Sequence, residues 1–152
     1  MELSAPNAGD LDVLMTMMED FNRFEGIAWT REAGEAPLRR LLADDSLGFV
    51  ALARDEAGAP PLGYAVVTFG YDLEWGGRDA FRTELYLVPE ARGRGVGATV
   101  LALVELQARA HGARALHLMV RHENRNARAL YHRAGYTVPE RLFMTKRFPT
   151  SE

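Results

Sequence analysis

The sequence predicts a mixed α/β fold (an α+β mixed sheet) with an antiparallel N-terminal meander, a central parallel strand pair and helices on both faces. Three observations predict it. Strand-like runs recur between residues 47 and 88, separated by turn residues. The most regular helical stretch, 95–111, then lies between a strand at 80–88 and another at 115–120, and a right-handed crossover makes those two strands parallel. A length of 152 residues with 47 % apolar content suits one domain, residues 1–152, with a substantial core.

Met1–Ser4 reads as a first short strand. Ala8-Gly9-Asp10 is a helix entry with Asp10 as N-cap, and Leu11, Leu14, Met15 and Met18 follow at helical spacing. Residues Asn22–Thr30 read as a loop or a broken helix, and Pro37–Asp44 as a second helix with Leu38, Leu41 and Leu42 on one side. Three strands come next: Leu47–Arg54, Leu62–Tyr71 and Ala80–Val88. They are joined by a Gly/Pro-rich turn at Asp55–Pro61 and by Asp72–Asp79, which holds Gly76-Gly77. In Gly95–His111, Val96, Val100, Leu103 and Val104 line one helix face, and Gly112 stops it. Ala115–Val120 is a strand. Asn126–Ala134 is a short helix closed by Gly135, and Tyr136–Val138 with Leu142–Phe148 form a final strand pair.

Composition narrows the function. The formal net charge is −3, without the basic excess typical of a nucleic-acid surface, and it permits a cationic substrate. There is no cysteine, so disulfides, thiolate metal sites and cysteine nucleophiles are excluded. His111, His117, His122 and His132 lack a metal-ligand spacing, so no metal is expected. No apolar run approaches the roughly 20 residues that span a bilayer, and MELSAPNAGD has no leader character. The expectation is a cytoplasmic chain with neither membrane nor nucleic acid as partner.

The informative segment is Glu84-Leu-Tyr-Leu-Val-Pro-Glu-Ala-Arg92-Gly-Arg-Gly-Val-Gly-Ala98. A strand ends, four residues intervene, and a glycine-rich turn opens the strongest helix. Gly93, Gly95 and Gly97 let backbone N–H groups converge. The helix N-terminus adds partial positive charge, which suits a pyrophosphate. Arg92 and Arg94 add full charges beside it. The plainer alternative is a loop whose glycines only satisfy tight geometry. Gly93–Ala98 also fits G-x-G-x-x-A of dinucleotide-binding folds. However, that fingerprint begins at the strand end, and the 54 residues after Ala98 are too few for a doubly wound sheet. A P-loop is excluded, because Lys146 is the only lysine.

Arg92-Gly-Arg-Gly-Val-Gly97 resembles the R/Q-x-x-G-x-G/A motif of the GNAT superfamily of acetyl-CoA-dependent N-acetyltransferases. Asn124-Arg-Asn-Ala127-Arg-Ala-Leu130-Tyr131-His-Arg-Ala-Gly135-Tyr136 is similar to a second motif of that family, N-x-x-A-x-x-L-Y-x-x-x-G-F/Y. Order and spacing agree, and the element order fits over residues 3–148. The resemblance implies a single N-acetyltransferase domain in which the strands 80–88 and 115–120 splay around acetyl-CoA. It implies that the backbone of Leu85, Tyr86 and Leu87 pairs with the pantetheine arm. Amides of Arg92, Gly93, Arg94, Gly95, Val96, Gly97 and Ala98 hold the pyrophosphate, and a main-chain N–H near Leu87 or Val88 stabilises the oxyanion. Asn124, framed with Ala127 and Tyr131, meets the cofactor arm.

The implied reaction moves an acetyl group from acetyl-CoA to a primary amine, a small molecule rather than a protein, by direct attack in a ternary complex. Tyr131 stands where the family places its general acid; packing in the core is the alternative. Glu84 stands where many relatives carry an acidic residue facing substrate. It reads as the base, as a substrate anchor, or as an exposed strand residue, and alternation puts it on one face with Tyr86 and Val88. Tyr71, Phe69, Glu25 and Trp29 are candidate acceptor contacts. The resemblance also allows a homodimer. A catalytically silent acyl-CoA-binding regulatory module is the competing function.

Overall fold

The computed structural model describes residues 1–150 and divides into two compact units, Met1–Met119 and the residues from Val120 onward. The first unit holds a five-stranded sheet of β1 (Glu2–Ser4), β2 (Gly48–Arg54), β3 (Gly63–Asp72), β4 (Gly77–Leu87) and β5 (Leu116–Leu118), in the order β1-β2-β3-β4-β5. β1 to β4 are antiparallel neighbours; β4 and β5 are parallel through Ala80–Leu116, Phe81–His117 and Arg82–Leu118. The mixed sheet and its crossover are therefore as the sequence predicts, but the parallel pair sits at the sheet's end rather than its centre.

Two apolar clusters cover the two faces of the sheet. Helix α3 (Val96–Ala110) packs Val96, Val100, Val104 and Ala108 against Phe49, Ala51, Ala53, Ala65, Val67 and Ala80. On the other face, α1 (Leu11–Glu25) and α2 (Arg31–Ala43) pack Leu14, Met15, Met17, Met18 and Leu38 against Val50, Leu52, Tyr64, Val66 and Tyr86. The alternation along β2 sends Val50 and Leu52 one way and Ala51 and Ala53 the other. The Met-rich stripe of the first helix is thus core packing.

The helix boundaries depart from the sequence reading for local reasons. Asn7, not Asp10, is the side-chain cap: its carboxamide accepts from the Asp10 N–H (3.1 Å), and its own N–H donates to the Asp10 carboxylate (2.9 Å). α1 continues through Asn22 to Glu25, and Gly26 ends it in a left-handed conformation (φ 69°). α2 begins at Arg31, because the Thr30 hydroxyl accepts from the Ala33 N–H (3.1 Å). Pro37 therefore falls inside a helix rather than opening one. The hairpin after β3 is also tighter than expected, since a single 3-10 turn at Leu73–Trp75 joins it to β4.

Asp10 ties the start of the chain to the sheet through an ion pair with Arg54 (2.7 Å), both side chains being mostly buried. The Asn7 N–H, then Arg54, hold its carboxyl below the ordinary range. A folded value below the unfolded one contributes stability above the ordinary carboxylate range, and that contribution is lost as pH falls through it. Asp10→Ala is expected to cost about 1–2 kcal/mol at neutral pH. It should also flatten the acid-side decline below about pH 4, as read from urea midpoints across pH.

In the second unit, α4 (Arg125–Arg133) is the helix, ended by Ala134 and a left-handed Gly135 (φ 94°). The expected final pair, Tyr136–Val138 and Leu142–Phe148, does not form: no strand lies beyond Leu118 among the described residues. Those segments carry strand-forming residues, but a strand exists only with a ladder partner, and Val138, Leu142, Met144 and Phe148 lie exposed. No helix of the described residues is long and apolar enough to cross a membrane.

Candidate active site

The end of β4 and the start of α3 position the glycine-rich turn. Pro89–Ala91 forms a 3-10 turn after β4, and its buried Ala91 packs in the α3-face core. Gly93 and Gly95 are left-handed (φ 74° and 76°), and a Cβ at either would meet only open space. Gly95 is the N-cap of α3 and supplies no side-chain cap. The first-turn N–H groups of Val96, Gly97 and Ala98 have no intrahelical acceptor by construction, so they are available to an anion. Gly97 itself lies within the helix. The Arg94 side chain is exposed. Arg92 donates through Nε to the Leu87 carbonyl (3.0 Å), with its guanidinium 5.5 Å from the centroid of the Tyr86 ring. The turn thus combines two arginines with unfilled space beside its left-handed glycines.

The strand before the turn presents an open edge. β5 pairs with β4 only as far as Arg82, so among the described residues Thr83–Leu87 has no ladder partner on that side. Val88 donates its N–H to the Leu62 carbonyl (2.9 Å), which makes that pair hydrogen-bonded. Antiparallel alternation then turns the N–H and C=O groups of Leu85 and Leu87 away from β3 and toward the open edge. Of the two main-chain donors expected near the oxyanion, Val88 is committed to the meander and Leu87 faces outward.

A bulge decides which way Glu84 points. Val66 pairs with Glu84 and Val67 with Arg82, leaving Thr83 as the extra residue. Ala80 and Arg82 consequently lie opposite Phe69 and Val67 on the α3 face, whereas Glu84 and Tyr86 lie opposite Val66 and Tyr64 on the α1/α2 face. There the half-buried Glu84 carboxylate accepts from the hydroxyl of Tyr64 (2.7 Å), a residue with no exposed surface. Burial holds the Glu84 carboxyl above its usual range, and the Tyr64 hydrogen bond offsets part of that rise. Burial and the facing Glu84 charge push the Tyr64 phenol far up, so it stays a donor. Tyr86 donates to Asp20 of α1 (3.2 Å), and burial, then the Asp20 charge, raises its phenol too. Tyr64 and Asp20 were not candidates from sequence, where they are one strand aromatic and one helix acid among many.

The expected acceptor contacts are dispersed. Phe69 lies on the α3 face, against Phe49 and His111 with Arg78 over its ring, on the opposite side of the sheet from Glu84. Tyr71 is 76 % exposed near the β3–β4 hairpin. Glu25 is the last, half-buried residue of α1. Trp29 packs with the α1/α2 cluster, its indole occupying the space that a Cβ on Gly34 would need.

In the second unit, Asn124 caps α4, its side-chain oxygen accepting from the Ala127 N–H (3.2 Å). Ala127 is half-buried and Tyr131 is buried. The Tyr131 ring stands edge-on to Tyr136, with centroids 5.9 Å apart. Asn124, Ala127 and Tyr131, one motif in sequence, thus occupy the cap and the same helix. Among the described residues no group of His, Asp and Glu is placed to hold a metal ion.

Comparison with known proteins bears on what this arrangement is for. The sequence model of the Acetyltransferase (GNAT) family matches residues 14–136. The chain is 42 % identical over 53 residues to the uncharacterised N-acetyltransferase YhfO of Bacillus subtilis, covering 35 % of this chain and 36 % of that protein. It is 30 % identical over 102 residues to thialysine N-epsilon-acetyltransferase of Bos taurus, covering 67 % of this chain and 58 % of the relative. The chain thus spans between a third and three-fifths of the length of these two relatives. The crystal structure of integron cassette protein HFX_CASS3, from the mobile metagenome of Cole Harbour Salt Marsh, superposes with a TM-score of 0.82 at 28 % identity. That superposition covers 98 % of this chain and 91 % of the cassette protein. The family match takes in most of the sequence, including the turn before α3 and the whole of α4, and so the chain belongs to the acetyltransferase (GNAT) family.

Proposed function

We propose that this chain is an N-acetyltransferase, one domain over residues 1–152, that moves an acetyl group from acetyl-CoA to a primary amine on a small molecule by direct attack in a ternary complex. The observation that carries it is the turn Arg92–Ala98. Two left-handed glycines with unfilled space beside them lead into a helix N-terminus, at the end of a strand whose edge is open. Acetyl-CoA, when bound, supplies a thioester carbonyl whose C–S bond is exchanged for a C–N bond to the amine.

The chain's own residues supply the rest. Amides of Gly93–Ala98 hold the diphosphate, with Arg92 and Arg94 adding charge. Leu85 and Leu87 offer backbone groups to an extended arm, and the outward Leu87 N–H favours negative charge on the carbonyl oxygen. Glu84 takes the proton that the amine loses, through water or directly. Tyr131 returns a proton to the departing thiolate. Asn124 meets the cofactor arm with its carboxamide N–H groups, its oxygen being used as the cap. With no cysteine in the chain, an acyl-cysteine intermediate is impossible, which favours direct transfer.

The test is acetyl-CoA-dependent thiol release over an amine library, headed by thialysine because the cattle relative is named for it. It is paired with calorimetry against CoA and NADH. Turnover with at least one amine, and CoA binding without NADH binding, are expected. CoA binding with no turnover would leave the silent acyl-CoA-binding module as the function, and no affinity for CoA would overturn both.

A further inference from the structure

The α1/α2 face of β4 carries two phenols, each committed to a carboxylate. Tyr64 donates to Glu84 and Tyr86 donates to Asp20, with the two rings 6.0 Å apart at their centroids. The two carboxylates stand in different settings. Asp20 is 44 % exposed at its side chain and also pairs with Arg23 (2.9 Å). Glu84 is half-buried and is held by the Tyr64 hydroxyl. Its position follows from the Thr83 bulge: without the extra residue, Glu84 would share a face with Ala80 and Arg82. Tyr64 is firmly packed on this face. It is fully buried, wedged between Tyr86 and the edge-on ring of Phe21 (6.4 Å), and its backbone lies within the β2–β3–β4 meander.

We infer that Tyr64 is a positioning residue for the transfer reaction: its immobile hydroxyl holds the Glu84 carboxylate in one orientation and in the charged form that accepts the amine's proton. This rests on the reading of Glu84 as proton acceptor. The physical reason is the competition at Glu84. Removal from water disfavours the anion, and a short hydrogen bond from a phenol whose own ionisation is disfavoured by burial favours it. A donor fixed by packing also leaves the second carboxylate oxygen pointing in a constant direction. Other charged and titratable groups at this face include Tyr86 beside Glu84 on β4, Asp20 of α1 with its partner Arg23, and Arg92 and Glu90, whose charges act on Tyr86. Farther along the sheet, the Asp79–His117 pair (2.9 Å) lies below the bulge.

Tyr64→Phe removes one oxygen and keeps the ring that Phe21 and Tyr86 pack against. Two measurements separate the inference from its premise. The first is a carbon-13 titration of the Glu84 carboxyl in the protein without ligand, its resonance assigned by its loss in Glu84→Gln. The expected result is a midpoint moved to higher pH in Tyr64→Phe and left in place by Tyr86→Phe. The second is the pH profile of kcat/KM for the most rapidly acetylated amine of the library screen. In Tyr64→Phe it should fall roughly tenfold near neutral pH, the loss expected of one hydrogen bond to a charged group, and recover as pH rises. An unmoved Glu84 midpoint overturns the positioning role. A midpoint that moves while the kcat/KM profile stays put overturns the inference through its premise, because Glu84 is then not the proton acceptor.

Discussion

Tyr131→Phe is expected to leave acetyl-CoA affinity within about twofold of the parent while lowering kcat by roughly 10²-fold or more, the range for loss of a positioned general acid. The leaving thiolate, with a conjugate acid near pKa ~8.5 by analogy with cysteine, departs more easily if a proton arrives as the bond breaks. A phenolic hydroxyl is a donor that can pass its proton to the thiolate. Phenylalanine preserves what the ring does structurally. Tyr131 is buried on α4 and meets Tyr136 edge-on, a contact made by carbon atoms that the substitution retains. Calorimetry with acetyl-CoA, single-turnover kinetics and a thermal melt check the three parts separately. Unchanged turnover would remove Tyr131 from the chemistry and return it to core packing.

Gly95→Ala is expected to weaken CoA binding by roughly 10- to 100-fold, the equivalent of about one or two hydrogen bonds to a charged phosphate. At φ 76° a Cβ costs roughly 1–2 kcal/mol of backbone strain, and the turn relieves it by moving the N–H groups that follow. The added methyl meets no protein atom within 4 Å, so the fold survives, and the methyl occupies the space a diphosphate would need. Gly58→Ala is the control. Gly58 has φ 81° and equally open surroundings, but it lies in the loop between β2 and β3. Both variants should lose similar stability in urea, and only Gly95→Ala should lose affinity in calorimetry. Equal CoA binding by the two would mean that the turn does not grip the cofactor.

Those expectations draw on features with unequal visibility in the sequence. The turn was legible because its physics is local: glycine content, arginines and a helix start are all adjacent in the chain. The helix from Gly95 and the meander were legible for the same reason, their apolar periods being short. The second helix reads as starting late because Pro37 looks like an opening residue, whereas Thr30, seven residues before it, caps the first turn. The last two strands were expected from β-forming residues alone. Such residues describe what a strand tolerates, and Leu142 or Phe148 cannot pair without a neighbouring edge.

Glu84 shows the same boundary within the candidate site. Its position on the strand before the motif was readable, and so was its shared face with Tyr86. Its partner was not: Tyr64 lies 20 residues away, and Asp20 lies 66 residues from Tyr86, separations over which no periodicity carries information. Phe69 was attractive as an aromatic on an adjoining strand, yet the register turns it toward His111 and the α3 face.

By itself, then, the amino-acid order determined the fold class, the glycine-rich turn and the family, because these follow from rules acting over a few neighbouring residues. Only the tertiary structure decided which face Glu84 joins, which phenol holds it, and which backbone donors at Leu85 and Leu87 remain open. A bulge, a register and the end of a ladder set these, and each is a relation between distant segments that exists only once the sheet has formed.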